Sequence, residues 1–179
     1  RLAATVEPPP AHRLLALLEA MAGLVTLAFG TLRLDPASHH GAEVALSVLW
    51  LVLALFTAVA VPRVRSWSMD VSLGGAAVLL AGGAVITGHA NVQVLNGLGL
   101  ILLGVFAAYT LPLGRIIGFL AISVTAYYWS VATTEVLTGS WVAAVVVGML
   151  VFNTLHVYSL VRRLRAASVV DPLTGALNR

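Results

Sequence analysis

The chain alternates between long apolar runs and short polar segments, and this alternation predicts its secondary structure. An α-helix needs about twenty apolar residues to cross the hydrocarbon core of a bilayer. Runs of that kind cover residues 14–32, 44–61, 71–87, 92–111, 116–134 and 141–161. The segments between them are short, so consecutive helices are expected to be antiparallel neighbours. The pattern therefore predicts an all-α membrane protein, a six-transmembrane-helix bundle formed by residues 13–161.

The composition agrees with a lipid environment. Hydrophobic residues make up 60% of the chain and charged residues 9%, whereas about a quarter of an ordinary soluble domain is charged. A chain of 179 residues is too short to bury so many apolar side chains in one soluble core. Because cysteine is absent, disulfides and zinc thiolate sites are excluded. The expected partner is the lipid bilayer, and no nucleic acid is expected.

The arginines predict the orientation of the bundle, since cytoplasmic loops retain positive charge. With a cytoplasmic amino terminus, nine of the ten basic residues lie on the cytoplasmic side, and Arg33 alone lies outside. The nine are Arg1, Arg13, Arg63, Arg65, Arg115, Arg162, Arg163, Arg165 and Arg179. We therefore expect a multi-pass protein of the inner (plasma) membrane with both termini cytoplasmic. Residues 1–12 lack a signal-peptide cleavage pattern and are expected to be a flexible cytoplasmic leader.

A stripe of small residues marks the third helix. Its members recur at spacings of three and four, which places them on one helix face: Gly74, Ala77, Ala81, Ala84 and Gly88. Small side chains allow a second helix to approach closely, so the stripe is predicted to be a helix-packing seam, within one chain or between two copies. Gly97 and Gly104 of the fourth helix indicate a matching groove.

The last helix is expected to continue past the membrane as a short stalk, residues 162–170. Val157, Leu160, Leu164 and Ala167 follow a heptad spacing that runs on beyond two arginines. A two-stranded coiled coil with a second copy would cover this stripe. The alternative is a single membrane-proximal helix whose arginines lie among anionic headgroups.

The segment after the stalk, DPLTGALNR at 171–179, carries a motif. It resembles the opening motif of GGDEF domains, D-x-L-T-G-L-x-N-R, although Ala176 stands where Leu is usual. Six positions match: Asp171, Leu173, Thr174, Gly175, Asn178 and Arg179. A chance match of this kind is on the order of one in ten million per window. Asp171 before Pro172 also favours a turn at the end of the stalk.

The resemblance implies a function for a longer protein. GGDEF domains are diguanylate cyclases, in which two copies, each holding GTP and Mg, make cyclic di-GMP. Residues 1–179 contain no GG[DE]EF loop, and the matched residues belong to the joint, so no catalytic residue, metal site or cofactor is assigned to this chain. The resemblance implies the membrane input region of a bacterial cyclase, ending at the start of a truncated GGDEF domain. It also implies a homodimer through the stalk and the cyclase domain, with the sensed ligand unidentified.

Two ionisable residues are candidate sensing or switch residues, because charges inside a membrane are costly. Glu19 lies six residues after Arg13, and His156 lies six residues before Arg162. Both are therefore roughly 9 Å inside the same membrane boundary. Their contact would tie the first helix to the last, and protonation would then shift the output. A plain interhelical hydrogen bond is the alternative.

Other polar and aromatic residues have structural interpretations. Asn96 and Asn153 are expected to form hydrogen bonds between helices. An aromatic belt at the outer interface, or a ligand cavity, is expected from Tyr127, Tyr128, Trp129 and Trp141. An outward-facing metal site is the less favoured reading, against solvated loop side chains, for His39, His40, His89, Asp35 and Glu43.

Three functions remain open at the level of sequence. The leading one is a signal-sensing input region that controls a following cyclase through the last helix. A small transporter or channel is the first alternative, although such proteins carry broken helices or mid-membrane charges, and Glu19 is nearly alone within these runs. A passive membrane anchor for the cyclase is the second alternative.

Overall fold

The computed structural model describes residues 11–32, 39–63, 67–87, 90–134 and 141–169, and all regular structure in these ranges is α-helix. The helices are α1 (Ala11–Leu32), α2 (His40–Val59), α3 (Trp67–Thr87), α4 (Ala90–Thr110), α5 (Leu113–Thr134) and α6 (Trp141–Val169). Each is long and apolar enough to cross a membrane. The predicted all-helical protein with six membrane-spanning runs is confirmed at this level.

The turn between α4 and α5 illustrates how the sequence sets helix ends. Proline has no backbone N–H and is disfavoured inside a helix but suited to its start. The Leu111 amide still donates to the Ala107 carbonyl at 2.8 Å, which completes α4. The Pro112 carbonyl then accepts hydrogen bonds from the amides of Arg115 at 3.0 Å and Ile116 at 3.1 Å, which begins α5. Pro112 therefore joins two helices with hardly any connecting loop.

Residues 1–79 form one compact unit, which contains α1, α2 and the first part of α3. Within it α1 packs along α2, and the close approach depends on a glycine. A Cβ placed on Gly23 would lie 3.0 Å from the Leu51 side chain and 3.1 Å from the Cβ of Trp50. The buried face of α1 also includes Leu15, Ala16 and Glu19.

Residues 80–179 form the second compact unit. Here α4 packs mainly against α6 and also against α5. Leu100 and Ala107 of α4 and Leu150 of α6 are fully buried. Large apolar side chains on other helix faces, such as Leu98 and Phe152, are exposed, as expected where lipid takes the place of water.

The small-residue stripe of α3 lies partly in buried positions. Ala77, Ala81 and Ala84 are buried, and Gly74 is half-buried. Gly88 lies outside the described residues. The role of the stripe as a packing seam stays a prediction.

The last helix is longer than the membrane requires. α6 has 29 residues, which corresponds to about 43 Å at 1.5 Å per residue. The hydrocarbon core is about 30 Å thick. The helix continues from Trp141 to Val169 without interruption, past the arginines that begin at Arg162. Its use as a dimeric stalk stays a prediction.

Candidate functional site

Glu19 is a buried carboxylate within α1, one of the helices able to span a membrane. Its side chain is 1% exposed. Glu19 Oε1 accepts a hydrogen bond from Ser72 Oγ of α3 at 2.8 Å. Glu19 Oε2 is also buried and has no hydrogen-bond partner among the described residues. The carboxylate is therefore only half satisfied.

A second hydroxyl extends this contact to α2. Thr57 Oγ1 lies 2.6 Å from Ser72 Oγ and 3.0 Å from the Leu53 carbonyl oxygen. The single proton of Ser72 is donated to Glu19, so Thr57 donates its own single proton either to Ser72 or to the Leu53 carbonyl. We call Glu19, Ser72 and Thr57 the carboxylate cluster. It connects α1, α2 and the first part of α3 through the Glu19–Ser72 and Ser72–Thr57 contacts.

The chemistry of this cluster follows from its missing partner. A buried ionised carboxylate is costly unless its oxygens are hydrogen-bonded or paired with a positive charge. One bond from Ser72 supplies little of that compensation. Glu19 Oε2 is thus the atom at which a proton, or a small rearrangement that brings a new donor, would have the largest effect.

His156 occupies a different environment in the second unit. It is exposed on α6 and its ring stacks on Phe152 of the same helix, with centroids 5.6 Å apart and an interplanar angle of 10°. The hydrogen bond described for Glu19 is to Ser72, within the first unit. The Glu19–His156 contact stays a prediction.

A second buried polar cluster lies between α4 and α5. Gln93 Nε2 donates to the Ser130 carbonyl at 3.1 Å and to Thr134 Oγ1 at 2.9 Å. Ser130 Oγ donates in return to Gln93 Oε1 at 3.1 Å. We call these three residues the amide cluster. Both protons of the Gln93 amide nitrogen are donated, and its carbonyl oxygen accepts a hydrogen bond. The cluster therefore stabilises the contact between α4 and α5.

The last helix, α6, lies close to α4 at two glycines. A Cβ placed on Gly97 would lie 2.5 Å from Val146, and one placed on Gly104 would overlap Thr154 Oγ1. The predicted groove on α4 therefore exists, but these glycines face α6 rather than α3. The glycine of α4 that meets α3 is Gly99, which lies against Leu80.

The far end of α6 is tied to the end of α4. Arg165 Nη2 donates to the Tyr109 carbonyl at 2.8 Å, and the guanidinium lies 5.9 Å from the centroid of the Tyr109 ring. The carbonyls in the last turn of a helix lack partners within the helix, so a cation there is stabilising. Sequence reasoning assigned Arg165 to the predicted stalk and missed this contact.

Of the structural interpretations from sequence, the one for Asn96 is confirmed, and those for Asn153 and Tyr127 are wrong. Asn96 Nδ2 does donate to another helix, at the Leu80 carbonyl (2.7 Å). Asn153 Nδ2, however, donates to the Met149 carbonyl of its own helix at 2.9 Å. Tyr127 is 1% exposed and belongs to the core, because it shares the buried face of α5 with Ser123 and Ser130.

The other three aromatic residues of the predicted belt lie at the surface, and the residues of the metal hypothesis lie partly outside the described ranges. Tyr128, Trp129 and Trp141 are exposed, and their place in an interfacial belt stays a prediction. His40 Nδ1 lies 3.8 Å from Glu43 Oε2. Within the described ranges, no group of three or more His, Asp or Glu side chains could hold a metal ion. Asp35 and His89 lie outside those ranges.

Comparison with known proteins adds no relative. No protein-family model matches the chain, and no curated protein or solved structure is significantly similar to it. The GGDEF-like motif at 171–179 lies outside the described residues. Its assignment therefore depends on the sequence of the motif.

Proposed function

We propose that this chain is the membrane input region of a GGDEF diguanylate cyclase, with both termini in the cytoplasm. The observation that carries the proposal is the motif DPLTGALNR directly after the last helix. The cyclase domain that the motif opens would bind GTP and Mg and form cyclic di-GMP. In this scheme the six helices sense or receive a signal, and α6 transmits it.

The geometry of α6 supports its role as the transmitting element. The helix continues as one piece to Val169, two residues before Asp171. Its first half packs against Gly97 and Gly104 of α4, and its end is held at Tyr109. A small shift of α6 along α4 would therefore move the motif directly.

A second copy is the proposed partner of the stalk. Leu160 is 44% exposed and Leu164 is 69% exposed, on the stripe that has heptad spacing. In a dimer these side chains would face each other. Because the chain has no cysteine, Leu164→Cys gives a single crosslinking site. We expect disulfide-linked dimers from Leu164→Cys in membranes and far fewer from Arg163→Cys, and equal crosslinking would contradict the predicted stripe.

The functional test joins the chain at Arg179 to the remainder of an active GGDEF domain, and cyclic di-GMP is measured in cells. One alanine inserted after Ala166 rotates the motif by about 100°, whereas seven inserted alanines restore the helical phase to within about 20°. We expect the single insertion to change the output severalfold and the seven-residue insertion to return it toward the original level. Equal output from all three proteins would contradict transmission through α6 and favour a passive anchor.

Orientation is tested with the same cysteine-free background. Ser168→Cys is expected to be protected from a membrane-impermeant maleimide in intact cells, and Ser38→Cys is expected to be labelled. The reverse pattern would place the carboxyl terminus outside and exclude the proposal.

The candidate switch residues are Glu19 and His156. We expect Glu19→Gln or His156→Leu to alter how the output of the fusion depends on pH between about pH 5 and pH 8. Unchanged profiles in both variants would remove these residues from the mechanism without affecting the cyclase assignment.

A further inference from the structure

A cavity of about 440 Å³ lies beside the end of α4, where α6 passes from apolar to charged sequence. Thr110, Leu111 and Pro112 line one side of it, and Tyr158, Arg162 and Arg165 of α6 line the other. Cavities of this size are within the range, about 300 to 1,000 Å³, that holds small molecules. The proposed function assigns nothing to this cavity.

The polar side of the cavity is built on one face of α6. Residues 158, 162 and 165 are four and three positions apart, so their side chains project in the same direction. The position of Arg165 is fixed by its bond to the Tyr109 carbonyl at 2.8 Å. Arg162 is exposed at the cavity, and Tyr158 contributes a hydroxyl.

The charged residues among the described lining of the cavity are both arginines, Arg162 and Arg165. From residue 80 onward, the described part of the chain contains four arginines, Arg115, Arg162, Arg163 and Arg165, and no Asp or Glu. The described residues of this unit therefore offer Arg162 no carboxylate, and an anion from outside them would complement it.

The residue types that line the cavity indicate which anion it would bind. Guanidinium groups bind phosphate through paired N–H donors. Leu111, Pro112 and Val161 give the cavity an apolar side next to its arginines, and the apolar run of α6 ends at the same level. A group with phosphate and hydrocarbon parts fits this lining better than a fully hydrated ion.

We infer that this cavity binds the phosphate of an anionic phospholipid headgroup. Arg162 holds the phosphate through its paired N–H donors, and the Tyr158 hydroxyl gives a further hydrogen bond, while Arg165 adds positive charge to the lining. The glycerol and upper acyl chain lie against Leu111, Pro112 and Val161. Basic pockets at the ends of membrane helices recognise headgroups by this chemistry.

The test is native mass spectrometry of the purified chain with phosphatidylglycerol or phosphatidylcholine added. Arg162→Gln removes a cavity arginine, while Arg163→Gln removes an adjacent exposed arginine that does not line the cavity. We expect about tenfold weaker retention of phosphatidylglycerol in Arg162→Gln, because a hydrogen bond to a charged group is lost. Arg163→Gln and all phosphatidylcholine adducts should change by less than about twofold, the ratio expected for an exposed charge.

A second variant and a soluble competitor complete the test. Arg162→Lys keeps the charge but loses the paired donors, so its affinity should fall between those of the wild type and Arg162→Gln. Glycerol phosphate at millimolar concentration should not displace the lipid. Displacement would show that the cavity takes soluble phosphate and would overturn the lipid assignment. Equal loss in Arg162→Gln and Arg163→Gln, or equal retention of both lipids, would overturn the site.

Discussion

The two buried polar clusters differ in how completely their central side chain is hydrogen-bonded. In the amide cluster of the second unit, Gln93 uses both amide protons and its carbonyl oxygen. In the carboxylate cluster of the first unit, Glu19 has one bonded oxygen and one buried oxygen that lacks a partner among the described residues. Both side chains are almost fully buried.

This difference separates a structural contact from a candidate switch. A fully bonded neutral amide stabilises the contact between two helices, and its removal can only weaken that contact. A half-bonded carboxylate costs free energy in the folded state, and such residues inside membranes are retained for function more often than for stability. Stability measurements on matched variants can therefore break or sharpen the distinction.

The largest expected loss of stability comes from disturbing the contact between α4, the helix that carries Gln93, and α6. In Gly104→Ala the new methyl group overlaps Thr154, which is buried and bonded to the Leu150 carbonyl at 2.7 Å. We expect the free energy of unfolding to fall by about 3 kcal/mol. It is measured in mixed micelles by titration with sodium dodecyl sulfate, followed by circular dichroism. The control is Gly118→Ala on α5, where the added Cβ meets open space; equal losses would contradict the close α4–α6 contact.

Removal of the amide from the amide cluster should have the next largest effect. Gln93→Met keeps the length of the side chain but removes three hydrogen bonds, each worth about 0.6 kcal/mol between membrane helices. We expect the unfolding free energy to fall by about 2 kcal/mol, measured in the same titration. An unchanged value would show that Ser130 and Thr134 are satisfied equally well by their own helix.

The matched change in the carboxylate cluster should not destabilise the protein. Glu19→Met removes a buried group that is only half bonded, so we expect the unfolding free energy to stay the same or to rise by about 1 kcal/mol. A loss as large as that of Gln93→Met would mean that Glu19 is a structural residue with a partner beyond those described.

The smallest expected effect is the coupling between Ser72 and Glu19. Ser72→Ala should cost about 1 kcal/mol in the presence of Glu19, because the remaining carboxylate loses its described donor. In a Glu19→Met background the same change should cost almost nothing, because Thr57 can then donate to the Leu53 carbonyl of its own helix. The difference is read from a double-mutant cycle, and additive effects would contradict the bond between Ser72 and Glu19.

Several features of the fold could be predicted from sequence because they depend on local composition. The apolar runs located all six helices to within a few residues, since length and hydropathy act along one segment at a time. Pro112 marked the junction of α4 and α5 for the same reason. Glu19 was identified as exceptional because it is a charge within an apolar run.

Pairings between helices could not be predicted in this way. The partner of Glu19 is Ser72, 53 positions away, and the partner of Gln93 is Ser130, 37 positions away. Hydroxyl groups occur in many of the helices, and most bond to their own backbone, as Thr26 does to the Ala22 carbonyl at 2.8 Å. Nothing in the local pattern distinguishes Ser72 from these residues.

The sequence alone determined that this is an all-helical chain with six runs suited to a bilayer, and it supplied the motif that leads to the proposed cyclase. Only the tertiary structure decided that Gly97 and Gly104 face α6, that Tyr127 is in the core, and that Arg162 and Arg165 share a cavity. The physical reason is that periodicity fixes which residues share a helix face, whereas the neighbour of that face depends on how all the helices pack together.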